Sequence, residues 1–215
     1  MVYQYASMFQ PGLILVITPL ISLMTDQLNK LPEFIPGAAI NSQQPPATKK
    51  AVLQAISEKK IKVLFISPER FFIEDFNKYN REIAMVCVDE IHCASEWSHN
   101  FRPTYLKIND MIKEKLGVTN HTDVMKGKKQ RKSPAVVLGL TATATVGTQL
   151  SICKSFTIQY PDHIITLPDL SRMNLQLSIT RDTEKQKALL MLLRSDSFKK
   201  LESILIFATH KRTCD

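Results

Sequence analysis

A chain of 215 residues with 44% hydrophobic and 22% charged side chains has the composition of a globular protein, which excludes wholesale disorder. Its 28 lysines and arginines against 20 acids leave a formal charge of +8, a balance that favours polyanions such as nucleic acid because each neutralised phosphate releases counterions. The longest apolar run, Leu13 to Ile17, is only strand-sized and no signal segment is written at the start, so the expectation is a soluble intracellular protein with no membrane partner.

In chain order, β-branched runs alternate with longer amphipathic stretches. LILVIT (Leu13–Thr18) predicts a strand, Pro19–Leu31 a helix and Pro46–Lys59 a second helix. KVLFIS (Lys62–Ser67) is the next strand, followed by a helix over Pro68–Tyr79, and IAMVCVD (Ile83–Asp89) is another strand. A helix over Pro103–Lys115, a strand AVVLGLT (Ala135–Thr141), a helix over Thr145–Ser155 and a strand HIITL (His163–Leu167) complete the pattern. Pro19, Pro46, Pro68 and Pro103 stand near helix starts, where a missing N–H costs nothing. The strand runs are nearly continuous in apolar residues, as in strands buried on both faces. The alternation therefore predicts an α/β fold with a mostly parallel sheet, which binds ligands at the carboxyl ends of its strands.

Residues 117 to 134 interrupt this order. KGKKQRKS, Lys126 to Ser133, has almost no apolar residue and is read as a basic surface insertion. A nuclear-import patch, an extra DNA contact and a solvated insertion are all consistent with Lys126–Lys132. A change of domain falls near Leu167–Arg172, dividing the chain into 1–168 and 169–215. Beyond it a strand (Leu175–Ile179), a helix (Thr183–Leu193) and a strand (Ser203–Ala208) are expected, too few elements to bury a sheet. Cys87, Cys93, Cys153 and Cys214 include no CxxC pair, so no zinc site is expected and reduced thiols are the default.

VDEIHC, Val88 to Cys93, closes an apolar strand and is the strongest chemical signal. A carboxylate there projects over the sheet edge. In P-loop NTPases such an Asp helps hold the Mg²⁺ that bridges the β- and γ-phosphates of ATP, which suits Asp89 as the metal-holding residue. Glu90 suits the base that takes the attacking water's proton, and His92 a sensor of the γ-phosphate. The plainer reading is an acidic turn after a strand with a hydrogen-bonded histidine. SEWSHNFRPTY, Ser95 to Tyr105, follows at once, crowding Trp97, His99, Phe101, Arg102 and Tyr105 into one loop. Aromatic faces stack on unpaired bases, with cation–π help from Arg; the plainer reading is aromatic packing beneath a loop.

The acidic motif followed by this loop resembles the RecQ helicases of superfamily two, whose loop has the form SxWGHDFRPxY. Here Ser98 replaces Gly and Asn100 replaces Asp, and WSHNFRP resembles the Rothmund–Thomson branch, the type-four RecQ helicases. ITPLISLMTDQ (Ile17–Gln27) is similar to the family's first DNA-contacting motif, with Thr18 and the helix start facing a strand phosphate, and ISPER (Ile66–Arg70) to the next, with Ser67 and Arg70. LGLTATAT (Leu138–Thr145) is similar to the motif that couples hydrolysis to DNA binding through Thr141 and Thr143. The plainer readings are a strand-to-helix turn, a helix cap and N-capping threonines.

The resemblance implies a RecA-like first lobe over 1–168 and the start of a second over 169–215. It also implies an ATP-dependent 3′ to 5′ DNA helicase acting with Mg²⁺ on single-stranded and duplex or junction DNA in repair, recombination and replication, in the nucleus with the cytoplasm as the alternative. Against it, none of Gly12, Gly37, Gly117, Gly127, Gly139 and Gly147 has the spacing of GxxxxGK[ST], so the phosphate loop is missing. Tyr3-Gln4 resembles the end of the family's GKSxxYQ stretch, which implies that the sequence starts just past the catalytic lysine. The expectation is therefore a helicase fragment without activity of its own. The alternative is a non-catalytic DNA-binding or helicase-partner protein. A DEAD-box-like RNA helicase is disfavoured, since DEIHC followed by the aromatic loop is similar to RecQ, whereas DEAD-box proteins carry DEAD and SAT at the matching points.

Overall fold

Every side chain of the strand β1 (Leu13–Ile17) is fully buried, which requires cover on both faces. In a computed structural model describing residues 2–79, 81–95, 103–116, 135–158, 162–166 and 174–208, that cover is supplied by helices on either side of a five-stranded sheet. The strands are β1, β2 (Gly37–Ile40), β3 (Val63–Ile66), β4 (Ile83–Val88) and β5 (Val136–Gly139). Their order is β2-β3-β1-β4-β5 and every pairing is parallel. The doubly wound α/β fold is thus the one expected.

Side chains alternate across the sheet, as the period of two demands. Leu13, Leu15, Ile17, Leu64, Ile66, Val86 and Val88 pack on one face. There they meet Ile56 of α3 (Pro46–Ser57), Phe71 of α4 (Pro68–Ile73), Ile108 and Ile112 of α6 (Ile108–Leu116), and Ile152 and Phe156 of α7 (Val146–Phe156). Ile14, Val16, Val63, Phe65 and Cys87 face the other way, against Tyr3 of α1 (Val2–Phe9) and Met24 of α2 (Ile21–Asn29). Full burial of each such aliphatic side chain contributes about 1.5–3 kcal/mol, so the sheet is the chief source of stability.

The structure differs from the sequence pattern in instructive places. β2 has no β-branched run, and it exists because Gly37–Ile40 pairs with Val63–Ile66. A Cβ at Gly37 would stand 2.3 Å from Leu31 Cδ1, so a larger residue here would require the Leu31 side chain to move. The helix expected over Pro68–Tyr79 ends at Ile73 and resumes as a 3₁₀ turn at Phe76–Tyr79. Asp75 Oδ1 accepts from Asn77 N–H at 3.2 Å, a local bond that competes with the helical ladder. The helix expected over Pro103–Lys115 is two, α5 (Pro103–Leu106) and α6.

The chain divides into two compact units, Met1–Ile165 and Thr166–Asp215. HIITL forms no strand over its described residues, and Ile165 is exposed. In the second unit, α8 (Lys185–Arg194) and α9 (Asp196–Lys199) form, but the expected strands at 175–179 and 203–208 do not. None of the described residues 174–208 is buried. A strand is a paired object, and among the described residues no ladder pairs with these apolar segments.

Candidate active site

Parallel pairing brings the residues that follow each strand to one edge. Ser67 N–H donates to Ile40 O (3.1 Å), Thr18 N–H to Ile66 O (3.2 Å), Asp89 N–H to Ile17 O (2.9 Å) and Leu140 N–H to Val88 O (2.9 Å). Four segments distant in sequence, each singled out for its chemistry, thus meet in one row. The order of the strands puts Asp89 beside Thr18 where the order reverses, with β2 and β3 on one side of β1 and β4 and β5 on the other, the usual ligand crevice of such sheets.

Asp89 is held from four sides. Besides its N–H bond, its carbonyl accepts from the hydroxyl of fully buried Tyr105 (2.9 Å), Oδ1 accepts from Glu90 N–H (3.1 Å), and Oδ2 accepts from Gln27 Nε2 (2.7 Å). Glu90 then turns the chain into a 3₁₀ turn, Ile91–Ala94, with φ 50° and ψ 44°. This left-handed conformation is strained for a residue with a Cβ, and strain of this kind gathers at functional sites. The turn aims Glu90 Oε2 to within 3.2 Å of His92 Nδ1.

β5 closes the cluster from the far side. Ile91 N–H donates to Leu140 O (2.9 Å), and His92 Nδ1 lies 2.8 Å from Thr141 Oγ1. The Thr141 hydroxyl donates to Thr143 O (3.0 Å), so its oxygen accepts from His92 Nδ1–H and from Thr143 N–H (3.2 Å). That assignment puts one proton between Thr141 and the Glu90 carboxylate. Beneath Asp89, burial first and the Asp89 charge second push the Cys87 thiol up to about 12, so it is an inert core group.

Asp89, Glu90, His92, Thr141 and Thr143 are therefore assembled in one place. The DNA-contact candidates are placed differently. Thr18 is fully buried, with its hydroxyl unpartnered among the described residues. Ser67 caps α4 by accepting from Arg70 N–H. Arg70 forms a largely buried ion pair with Glu74 at 2.5 Å, and Glu74 also accepts from the Tyr79 hydroxyl. Trp97, His99, Phe101 and Arg102 lie outside the described residues, as does the basic segment Lys126–Lys132. The loop's flanks are anchored: Ser95 is buried, and Tyr105 reaches Asp89. Sequence reasoning missed Gln27 as a site residue. Its only signal is its place as the last residue of ITPLISLMTDQ.

The donor set suits a hard cation. Among the described residues no three His, Cys, Asp or Glu side chains gather into a closed metal centre. Asp89 offers carboxylate oxygens at the sheet edge, and a buried carbonyl oxygen of Gln27, unpartnered among the described residues, adjoins it. One carboxylate with the remaining positions left to water and phosphate is the way Mg²⁺ is commonly held.

A family model of the DEAD/DEAH box helicases matches residues 2–151. The chain is 35% identical over 218 aligned positions to "ATP-dependent DNA helicase Q-like 5" of Arabidopsis thaliana, covering 99% of this chain and 22% of that protein. It is 34% identical over 205 positions to "ATP-dependent DNA helicase Q4" of Homo sapiens, covering 94% of this chain and 16% of that one. To "ATP-dependent DNA helicase RecQ" of Bacillus subtilis it is 32% identical over 188 positions, covering 86% and 29%. The chain thus spans less than a third of the length of each of these relatives.

Proposed function

This chain belongs to the DEAD/DEAH box helicase family, and from that premise we propose that it is part of a RecQ-type, ATP-dependent 3′ to 5′ DNA helicase. Residues 1–168 would form the first RecA-like lobe and 169–215 the start of the second. The observation that carries the reading is the cluster of Asp89, Glu90, His92 and Thr141 on one sheet edge, with His92 Nδ1 within 3.2 Å of Glu90 and 2.8 Å of Thr141.

Helicases of this family use ATP with Mg²⁺, whose hydrolysis supplies the free energy for movement. In this reading Asp89 holds the cation and Glu90 takes the proton of the attacking water. His92, sharing its Nδ1 proton between Glu90 and Thr141, passes the state of the site to the segment Thr141–Thr143. The loop of Trp97, His99, Phe101 and Arg102 stacks on single-stranded DNA, and Tyr105 ties its far end to Asp89. In this reading Thr18, Ser67 and Arg70 would lie on turns next to the strand backbone; Thr18 and Ser67 are themselves buried, and Arg70 would reach a phosphate by exchanging Glu74 for it. The whole protein would unwind duplex or junction DNA in the nucleus.

The 215-residue chain, lacking GxxxxGK[ST], is expected to bind single-stranded DNA without hydrolysing ATP. Fluorescence anisotropy with a labelled oligonucleotide should show binding that weakens as salt rises. Trp97→Ala should weaken it by ~1–3 kcal/mol, the worth of a stacked base. Turnover that Glu90→Gln abolishes would overturn the inactivity, and failure to bind DNA at low salt would overturn the DNA-contact reading.

A further inference from the structure

We propose that Gln27 is a positioning residue for Asp89: it fixes the cation-holding carboxylate and ties it to α2, the helix that opens from the Thr18 turn. The inference deepens the reading above and rests on Asp89 being the cation ligand.

Gln27 and Asp89 are 62 residues apart, and Nε2 donates to Oδ2 at 2.7 Å in a partly buried setting. Oδ1 is restrained by Glu90 N–H. The two bonds arrive on different oxygens, so the plane of the carboxylate is set while each oxygen keeps a lone pair for a cation. Groups that hydrogen-bond to a metal ligand orient it and tune its affinity.

The other end of the amide argues against a role in stability alone. Gln27 Oε1 is buried with no partner among the described residues. An apolar side chain of the same length would fill the place without stranding a carbonyl oxygen. Mg²⁺ keeps several of its waters when bound by one or two carboxylates, and such water is the donor this oxygen lacks.

The helix behind Gln27 is firmly seated. α2 packs fully buried Met24 against the sheet face that holds Tyr3, Val16 and Phe65. Its nine residues extend about 13 Å. A strand phosphate bound at the turn before α2 would therefore act on the same helix that carries Gln27 to Asp89.

The test uses the ¹⁵N-labelled 215-residue chain and Mn²⁺, a paramagnetic stand-in for Mg²⁺. Titration should broaden amide signals around Asp89, and Asp89→Asn should remove that site. Gln27→Met, which keeps the length but loses the donor, should weaken Mn²⁺ by about tenfold, the low end for partners of metal ligands. The metal-free melting temperature should stay unchanged, and in an Asp89→Asn background Gln27→Met should add nothing. A merely structural role would lower melting and affinity together. Should Gln27→Met fail to fold, Gln27→Asn, which keeps the amide but falls short, serves in its place with the same expectation. No broadening at Asp89 in the unmodified chain, or its survival in Asp89→Asn, removes the cation-ligand reading and the proposal with it. A Gln27 variant with unchanged Mn²⁺ affinity, beside an Asp89→Asn that loses the site, overturns the proposal alone.

Discussion

Glu90 is placed by a compromise between backbone and chemistry. Its left-handed φ of 50° costs roughly 1–2 kcal/mol for a residue with a Cβ, yet this turn is what brings the carboxylate round to His92. Glycine would take the conformation freely and alanine would not. Glu90→Gly is therefore expected to be more stable than Glu90→Ala by about 1 kcal/mol, the reverse of their order in a helix. Urea unfolding of the two variants checks this, and an alanine variant of equal or greater stability would mean that the turn is not strained. Glu90 was singled out from DEIHC as the candidate base. Its strain was not legible, because nothing in the local sequence marks a non-glycine residue at positive φ; the conformation is imposed by Ile91 N–H reaching Leu140 O across the sheet.

At the scale of elements, α7 shows the same device without chemistry. Thr145 caps its start by accepting from Thr148 N–H, as threonine commonly does. Its end is closed by Thr157 at φ 56°, while Ile158 N–H reaches back to Cys153 O. That is the Schellman arrangement, in which the left-handed position usually belongs to glycine. A β-branched residue suits it poorly, so Thr157→Gly is expected to raise stability by about 0.5–1 kcal/mol, read as a higher urea midpoint with unchanged slope. Elements with strong local signals were legible in the same way: β1, β3, β4 and β5 from apolar runs, α3 and α4 from prolines at their starts. What failed had weak local signals or lacked a partner. β2 is GAAI and is recruited by β3, whereas 175–179 has the alternation of a strand but pairs with no ladder among the described residues. In the candidate site, Asp89, Glu90 and His92 lie within one four-residue stretch and Thr141 and Thr143 in one motif, so their grouping was legible. Gln27 was not, because its meaning comes from a contact across 62 residues.

For the whole molecule, the two units differ in kind. The first has a sheet covered on both faces, and the described part of the second has no buried residue. Cooperative unfolding therefore reports on the first unit, and a tyrosine on each of its faces makes that unfolding sensitive to alkali. Tyr3, on the face of Phe65, has its hydroxyl pushed from 10.0 up to about 12, by burial first, then Cys87 and Asp89. Tyr79, packed against Phe76 on the opposite face, is raised further, by burial first and then by its bond to Glu74. Both groups hold their protons more tightly folded than unfolded. Their contribution to stability is thus complete below pH 10, where neither state ionises, and is lost as pH climbs towards the folded values, because the unfolded chain ionises first. Urea midpoints should be level from pH 8 to pH 10 as far as these groups are concerned and fall above it. Lysines also titrate in that range, so the decisive comparison is with Tyr3→Phe, which keeps the ring against Phe65 and removes the proton. Its stability should fall less steeply between pH 10 and 12 than that of the unmodified chain, by the slope of one proton. Parallel curves for the two chains would mean that the Tyr3 hydroxyl already ionises in the folded protein, and that this face of the sheet is open to water.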